Sequence, residues 1–229
     1  ADTIVAIMID VLSPEKANQV VAPFLALVIS PLFIRSPEDL LRLFEYACNT
    51  RGPEVAALLQ RWEAGAVDPR VTQPPCERLL ASVMDLWLDK FDSIASKGMR
   101  KMAALGLCAS LKLDVPCVVP RFREILAHVA AVWAEVEHGP DADTLGLSFA
   151  NAGTGPRDDF VPVSVDLEEA EGETARRRAL FSDSPVVALL IKDYFQECIR
   201  QAPNGEALMQ AVGNSEDGSF AKMLEELLR

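Results

Sequence analysis

The chain is poor in the residue types that commonly build enzymatic centres. It has two histidines and five cysteines in 229 residues, and no two cysteines stand in a Cys-x-x-Cys spacing. Neither His128 nor His138 stands at ligand spacing from a cysteine, so a zinc site has no support. The cysteines are odd in number and lie in apolar helical contexts, which is typical of reduced, buried thiols in a cytosolic or nuclear protein. They are Cys48, Cys76, Cys108, Cys117 and Cys198.

A phosphate-binding loop and a membrane span are also missing from the sequence. The glycine-rich run Gly153–Pro156 lacks the lysine, the hydroxyl residue and the helix that a phosphate loop requires. The apolar run Val20–Phe33 is interrupted by two prolines and is too short to cross a bilayer. Valines fall within helical periods rather than in alternating runs, which gives strands little support. We expect no enzyme, no cofactor and no membrane insertion.

Positive charge is scarce in one part of the chain. The formal net charge is −12. Between Glu135 and Glu173, eleven acidic residues accompany a single basic one, Arg157, so this segment carries −10 and the rest of the chain about −2. A protein that binds nucleic acid directly would need a basic face instead. The acidic segment suits a basic protein partner, although a solvated, disordered stretch is the simpler interpretation.

Apolar residues recur at three-and-four spacing over much of the chain, which predicts amphipathic helices. The clearest pair lies between Arg78 and Leu111, where a short break at Ala95–Gly98 separates two helical periods. Helices joined by so short a connection lie roughly antiparallel, and neither can bury its apolar stripe alone. The pattern therefore predicts hairpins stacked on neighbouring hairpins. The apolar positions are Leu79, Leu80, Val83, Leu86, Trp87, Phe91 and Ile94 in the first helix, and Met99, Met102, Leu105, Leu107 and Leu111 in the second.

Three Ser-Pro pairs predict helix starts. At Ser13–Pro14, Ser36–Pro37 and Ser184–Pro185 the serine can cap a helix while the proline fits its first turn. The last of these pairs begins a helix predicted over Pro185–Arg200. Successive helix pairs are spaced roughly 35–45 residues apart, within the range of HEAT repeats. The predicted fold class is all-α, an α-solenoid of antiparallel helix hairpins of the HEAT or armadillo type.

Helical periodicity fails after residue 137, which divides the chain into three parts. Residues 1–137 are predicted to form HEAT-type helical hairpins. Residues 138–180 have a composition that cannot bury enough surface to order itself, so we predict an acidic, disordered insertion. Residues 181–229 return to helical periodicity and are predicted to close the same solenoid.

Three carboxylates, Asp85, Asp89 and Asp92, lie on one face of a predicted helix at four-and-three spacing. Carboxylates so placed can share a metal ion or a proton, as in a helical hydrolase, but no histidine or second carboxylate helix accompanies them. A solvated face, or a surface for a basic partner, is the better interpretation. A purely structural use is also open, because Asp89 and Asp92 could face Arg100 and Lys101 across the hairpin turn.

The same hairpin carries a family resemblance. Its order of residues resembles the C-terminal repeats of β-karyopherins, and within that family it is most similar to the importin eleven branch. The run Ala179–Phe195 resembles the closing segment of the same branch. The resemblance covers Pro74–Arg229 and extends to the first seventy residues by general character. The residues that carry it in the hairpin are Trp87, Asp89, Phe91, Asp92, Ile94, Arg100, Lys101, Ala104 and Leu105.

The resemblance implies a superhelix that wraps protein cargo and acts in Ran-dependent transport between cytoplasm and nucleus. It implies that Ran and Phe-Gly nucleoporins bind through the full-length protein, with Ran on N-terminal repeats. The chain begins with Ala1 rather than methionine, so we expect a fragment or the tail of something longer, and the resemblance implies the C-terminal part of an import receptor. A HEAT-repeat scaffold or adaptor unrelated to nuclear transport is the alternative. The candidate contacts with a basic cargo are Asp85, Asp89, Asp92, Glu168, Glu169 and Glu171.

Overall fold

The described part of the protein is helical. The computed structural model describes residues 2–12, 21, 24–63, 73–94, 96–137, 185–213 and 218–229. A π-helix spans Leu25–Ile29, and two 3₁₀-helices span Phe91–Ser93 and Pro116–Arg121. The α-helices are α1 (Asp2–Val11), α2 (Ser30–Arg35), α3 (Pro37–Thr50), α4 (Gly52–Glu63), α5 (Pro75–Lys90), α6 (Lys97–Ser110), α7 (Phe122–Val136), α8 (Pro185–Ala188), α9 (Ile191–Gln201), α10 (Gly205–Gly213) and α11 (Ser219–Leu228).

The helices pack as an α-solenoid around one apolar core. Helix α3 packs on α2, α4 and α5, while α6 packs on α2, α7 and α9. Helices α10 and α11 pack on α7. Buried apolar residues from all of these helices join in one cluster, so each amphipathic helix buries its stripe against its neighbours. The predicted all-α solenoid is confirmed. The acidic part, residues 138–180, lies outside the described residues, and the division into three parts stays a prediction.

The helix start at Ser36 is confirmed, and the other two Ser-Pro serines lie outside the described residues. Ser36 is extended, its hydroxyl accepts a hydrogen bond from the Asp39 N–H at 3.3 Å, and Pro37 occupies the first turn of α3. The single helix predicted over Pro185–Arg200 is wrong. Helix α8 ends at Ala188, the backbone of Leu190 is extended, and α9 begins at Ile191.

The π-helix at Leu25–Ile29 is explained by the proline that follows it. Pro31 has no N–H to donate to the preceding turn, and its ring disfavours a regular α-helical turn before it. The wider turn is closed by Ser30, whose N–H and hydroxyl both donate to the Leu25 carbonyl, the hydroxyl at 2.7 Å. Such single π turns arise where a helix accommodates a local irregularity.

Three helices pack closely where α5, α6 and the start of α2 meet. The side chain of Trp87 is fully buried, and its ring lies 5.7 Å from that of Phe33. Gly106 on α6 lies against both Trp87 and Ser30. A Cβ atom at Gly106 would be 2.7 Å from Trp87 Cη2 and 2.8 Å from the Ser30 Cα. Only glycine permits this approach of α6 to its two neighbours.

The five cysteines differ in burial. The prediction of buried thiols is confirmed for Cys108, Cys117 and Cys198, whereas Cys48 and Cys76 are half-buried. Burial raises the pKa of Cys198 to about 12 and that of Cys48 to about 11. These thiols are therefore protonated at neutral pH, and they contribute to packing as small apolar side chains.

Candidate partner-binding surface

The three predicted carboxylates lie at the C-terminal half of α5 and in the 3₁₀ turn after it. Helix α5 turns its apolar stripe inward, where Val83, Trp87 and Leu88 are buried. Asp85 and Asp89 therefore fall on its outer side, and Asp92 follows in the 3₁₀ turn. All three are solvent-exposed, but their surroundings differ.

Asp85 is tied to Arg121 of the neighbouring repeat. Arg121 Nε donates to Asp85 Oδ1 at 2.5 Å and Arg121 Nη2 donates to Asp85 Oδ2 at 2.7 Å. The third nitrogen, Nη1, donates to the Cys117 carbonyl at 2.6 Å. The Arg121 side chain is only 8% exposed and that of Asp85 is 46% exposed. A bidentate pair of this kind fixes geometry as well as charge, so Asp85 braces α5 against the 3₁₀ turn that leads into α7.

Asp89 and Asp92 face solvent. Asp89 contacts its neighbour Lys90 at 2.9 Å, and the Asp92 side chain is 93% exposed. The structural alternative, in which these two residues pair with Arg100 and Lys101 across the hairpin turn, is wrong. Both cations point to the far end of α7 instead, because Arg100 pairs with Glu135 at 2.5 Å and Lys101 pairs with residue 137.

A second helix completes the surface with residues that the sequence analysis did not assign to it. Glu124 is exposed in the first turn of α7, and His128 lies one turn further along. The His128 ring stacks on Phe91 with centroids 4.4 Å apart, and its Nδ1 lies 3.9 Å from Asp92 Oδ1. The i, i+4 spacing of Glu124 and His128 was visible in the sequence, but the approach of His128 to Asp92, more than thirty residues earlier, had no sequence signal.

The electrostatics keep this surface negative at neutral pH. Burial lowers the pKa of His128, and the carboxylates of Asp92 and Glu124 only partly oppose that shift. The imidazole is therefore mostly neutral and does not cancel the carboxylate charge. We call Asp89, Asp92 and Glu124 the α5–α7 acidic surface.

The start of α9 is held by a buried ion pair at the end of α7. Glu137 Oε1 lies 3.3 Å from Lys101 Nζ and accepts the Ile191 N–H at 2.7 Å. The side chains of Lys101 and Glu137 are 6% and 13% exposed. We call these contacts of Glu137 with Lys101 and Ile191 the clasp. The clasp holds the first residue of α9 next to the C-terminal end of α7. The predicted contacts Glu168, Glu169 and Glu171 fall between these two points and lie outside the described residues.

Two grooves among the described residues are shallow and lined mainly by apolar area. One, of about 310 Å³, lies at the α2–α3 turn around Leu32, Ser36 and Leu43, and the other, of about 150 Å³, lies beside Cys48 and Arg78. Neither contains the acidic surface. Within the described ranges, no group of three or more histidine, cysteine or carboxylate side chains is placed to hold a metal ion. No helix described here is long and apolar enough to span a membrane.

The fold and the surface define a class of protein. Stacked helix pairs with polar groups spread over an extended face are typical of helical-repeat proteins that bind other proteins. Residues 3–228 match the family described as "Importin-11-like, TPR repeats". The chain belongs to this family, and the resemblance noted in the sequence is confirmed. The family description names the repeats TPR where the spacing indicated HEAT, and both are stacked helix pairs.

Two curated proteins show the extent of the similarity. The chain is 24% identical over 189 residues to the importin beta-like protein kap113 of Schizosaccharomyces pombe. The aligned region covers 82% of the chain and 16% of that protein. It is 22% identical over 156 residues to importin-11 of Mus musculus, covering 67% of the chain and 16% of that protein. The chain thus spans about a sixth of the length of these relatives. No solved structure matches it significantly.

Proposed function

We propose that this chain is the C-terminal, cargo-binding part of a karyopherin-β nuclear import receptor that acts in Ran-dependent protein transport between cytoplasm and nucleus. The match to the importin-11-like family over residues 3–228 is the observation that supports this most. Because the chain corresponds to about a sixth of its relatives, Ran and Phe-Gly nucleoporins are expected to bind through the full-length protein. The role is recognition without catalysis, direct nucleic-acid binding or membrane insertion.

The proposed cargo contact is the α5–α7 acidic surface, with Asp85 as its brace. Exposed carboxylates on two neighbouring helices present negative charge to a basic partner, which favours fast encounter and sets specificity more than affinity. Glu168, Glu169 and Glu171 are proposed to extend this negative charge. The cargo is therefore expected to present a basic segment.

Nucleotide-dependent binding separates a transport receptor from a helical-repeat scaffold. We expect the full-length protein to retain Ran locked in its GTP form on an affinity column and to retain little GDP-bound Ran. The amount of cargo bound to the full-length protein should change when GTP-bound Ran is added. Equal retention of the two nucleotide forms, or retention of neither, would contradict the transport proposal and favour a scaffold or adaptor unrelated to nuclear transport.

Neutralising the acidic surface should weaken binding of a basic peptide. We expect Asp92→Asn and Glu124→Gln each to raise the Kd of an arginine-rich peptide for the 229-residue chain by about two- to fivefold, the range of exposed ion pairs. The double variant should also flatten the dependence of Kd on salt, because fewer charges are screened. Fluorescence anisotropy at several salt concentrations measures both quantities.

The matched control is Glu226→Gln, which removes an exposed carboxylate from α11 and changes net charge equally. It should leave Kd within experimental error. If the control weakens binding as much as Asp92→Asn does, the peptide senses only the overall charge of the chain and the proposed surface is wrong.

A further inference from the structure

We infer that Asp85 and Arg121 are positioning residues that set the spacing between the two halves of the α5–α7 acidic surface. The inference rests on the proposed function, and it assigns Asp85 a role different from direct contact with cargo. It also assigns a supporting role in this acidic surface to a basic residue, Arg121.

The position of the pair in the two helices supports this role. Asp85 lies on α5 one turn before Asp89. Any shift of Asp85 relative to the 3₁₀ turn that holds Arg121 therefore moves Asp89 as well. Arg121 is the last residue of the 3₁₀ turn, and Phe122 begins α7. Glu124 therefore stands three residues after the guanidinium that is bonded to Asp85.

The guanidinium uses all three nitrogens at once. Two of them hold the Asp85 carboxylate, and the third holds the Cys117 carbonyl at the start of the same 3₁₀ turn. The side chain thus locks the internal shape of the turn and its distance from α5 in a single rigid fork. A lysine would keep the charge but offers a single nitrogen on a flexible stem, so it cannot hold both partners in this geometry.

The two halves of the surface converge on His128. Asp92 Oδ1 lies 3.9 Å from His128 Nδ1. Glu124 lies one helical turn before His128 on α7. Both carboxylates influence the imidazole electrostatically. One cationic side chain of a partner, placed above His128, would meet both carboxylates only while α5 and α7 keep their present spacing.

The test is a double-mutant cycle measured in two backgrounds. Asp92→Asn, Glu124→Gln and the double variant are compared for binding of an arginine-rich peptide, first in the natural chain and then in an Arg121→Lys chain. In the natural background the two effects should be non-additive by roughly two- to fourfold in Kd, within the effect of either single change, as for residues that share a partner. In the Arg121→Lys background the non-additivity should fall to near onefold, although the net charge is unchanged.

The Tm of each variant is measured by thermal unfolding, monitored by circular dichroism, alongside its Kd. A purely structural role of Arg121 would lower Tm but leave the coupling between Asp92 and Glu124 unaltered, and that result would overturn the inference. Arg42→Lys is the matched control, because Arg42 also bonds an aspartate, Asp39, at 2.8 Å but on an exposed face of α3. It should change neither Tm nor the coupling.

A second variant covers the case in which Arg121→Lys does not fold. Asp85→Asn keeps the size and one acceptor oxygen but loses the bidentate pairing, and it should also reduce the coupling to near onefold. Retained coupling in this variant would overturn the inference. Absence of peptide binding by the natural chain is a separate result, since it would overturn the proposed cargo surface itself.

Discussion

Replacing Gly106 with alanine should destabilise the protein by about 2 kcal/mol or more, the range expected when atoms are forced into a packed core. The added methyl group would stand 2.7 Å from Trp87 Cη2 and 2.8 Å from the Ser30 Cα. The backbone of Ser30 cannot yield, because its N–H and hydroxyl close the π turn onto Leu25. Alanine otherwise gains up to about 1 kcal/mol over glycine inside a helix, so a net loss identifies the steric conflict.

Chemical denaturation of the 229-residue chain measures this change as a shift of the midpoint at constant slope. Gly52→Ala is the control, because a Cβ atom at Gly52 has no neighbour within 4 Å. It should leave the free energy of unfolding unchanged or raise it by a few tenths of a kcal/mol. If Gly106→Ala is as stable as the natural chain, α6 does not approach Trp87 and Ser30 as described.

Glu137→Ala should lower the free energy of unfolding by about 3 kcal/mol. The variant leaves the Lys101 ammonium nearly buried without its carboxylate, and breaking a buried pair from one side costs roughly 3–5 kcal/mol. It also removes the acceptor of the Ile191 N–H at the start of α9. Because the first N–H of α9 is held by Glu137, the amides of α9 should lose more hydrogen-exchange protection than those of α5.

Glu135→Ala is the matched control for Glu137→Ala. Glu135 pairs with Arg100 from the same two helices, but the two side chains are 35% and 25% exposed. Its loss should cost about 0.5–1 kcal/mol. The combined replacement Lys101→Met and Glu137→Leu should recover most of the stability lost in Glu137→Ala, since it leaves no unpaired buried charge. Equal costs for Glu135→Ala and Glu137→Ala would contradict the described burial of the clasp.

Much of the helical framework could be predicted because its causes are local. The apolar period of α5 and α6 and the cap at Ser36 each depend on residues within one or two turns of each other. The interruption at Leu189–Leu190 was missed because the flanking residues are as apolar as a continuous helix would require. Its extended backbone instead suits the docking of the Ile191 N–H on Glu137.

The surface could be predicted only in part, because its second half depends on tertiary contacts. The spacing of Asp85, Asp89 and Asp92 showed a common helix face, but not that Asp85 would be bonded to Arg121, 36 residues further along the chain. The same spacing suggested partners for Asp89 and Asp92 at the start of α6. Their failure to pair follows from α7, whose C-terminal end supplies Glu135 and Glu137 to those cations.

Hydrogen exchange of the 229-residue chain with and without a bound arginine-rich peptide tests the location of the partner surface most directly. We expect the added protection to concentrate in residues 85–94 and 118–128, where the acidic surface and its Asp85–Arg121 brace lie. Asp92→Asn combined with Glu124→Gln should raise the peptide concentration that gives half of that added protection, by the same factor by which it raises Kd. Added protection confined to α9–α11, or none anywhere in the described helices at saturating peptide, would contradict the proposed location of the partner surface.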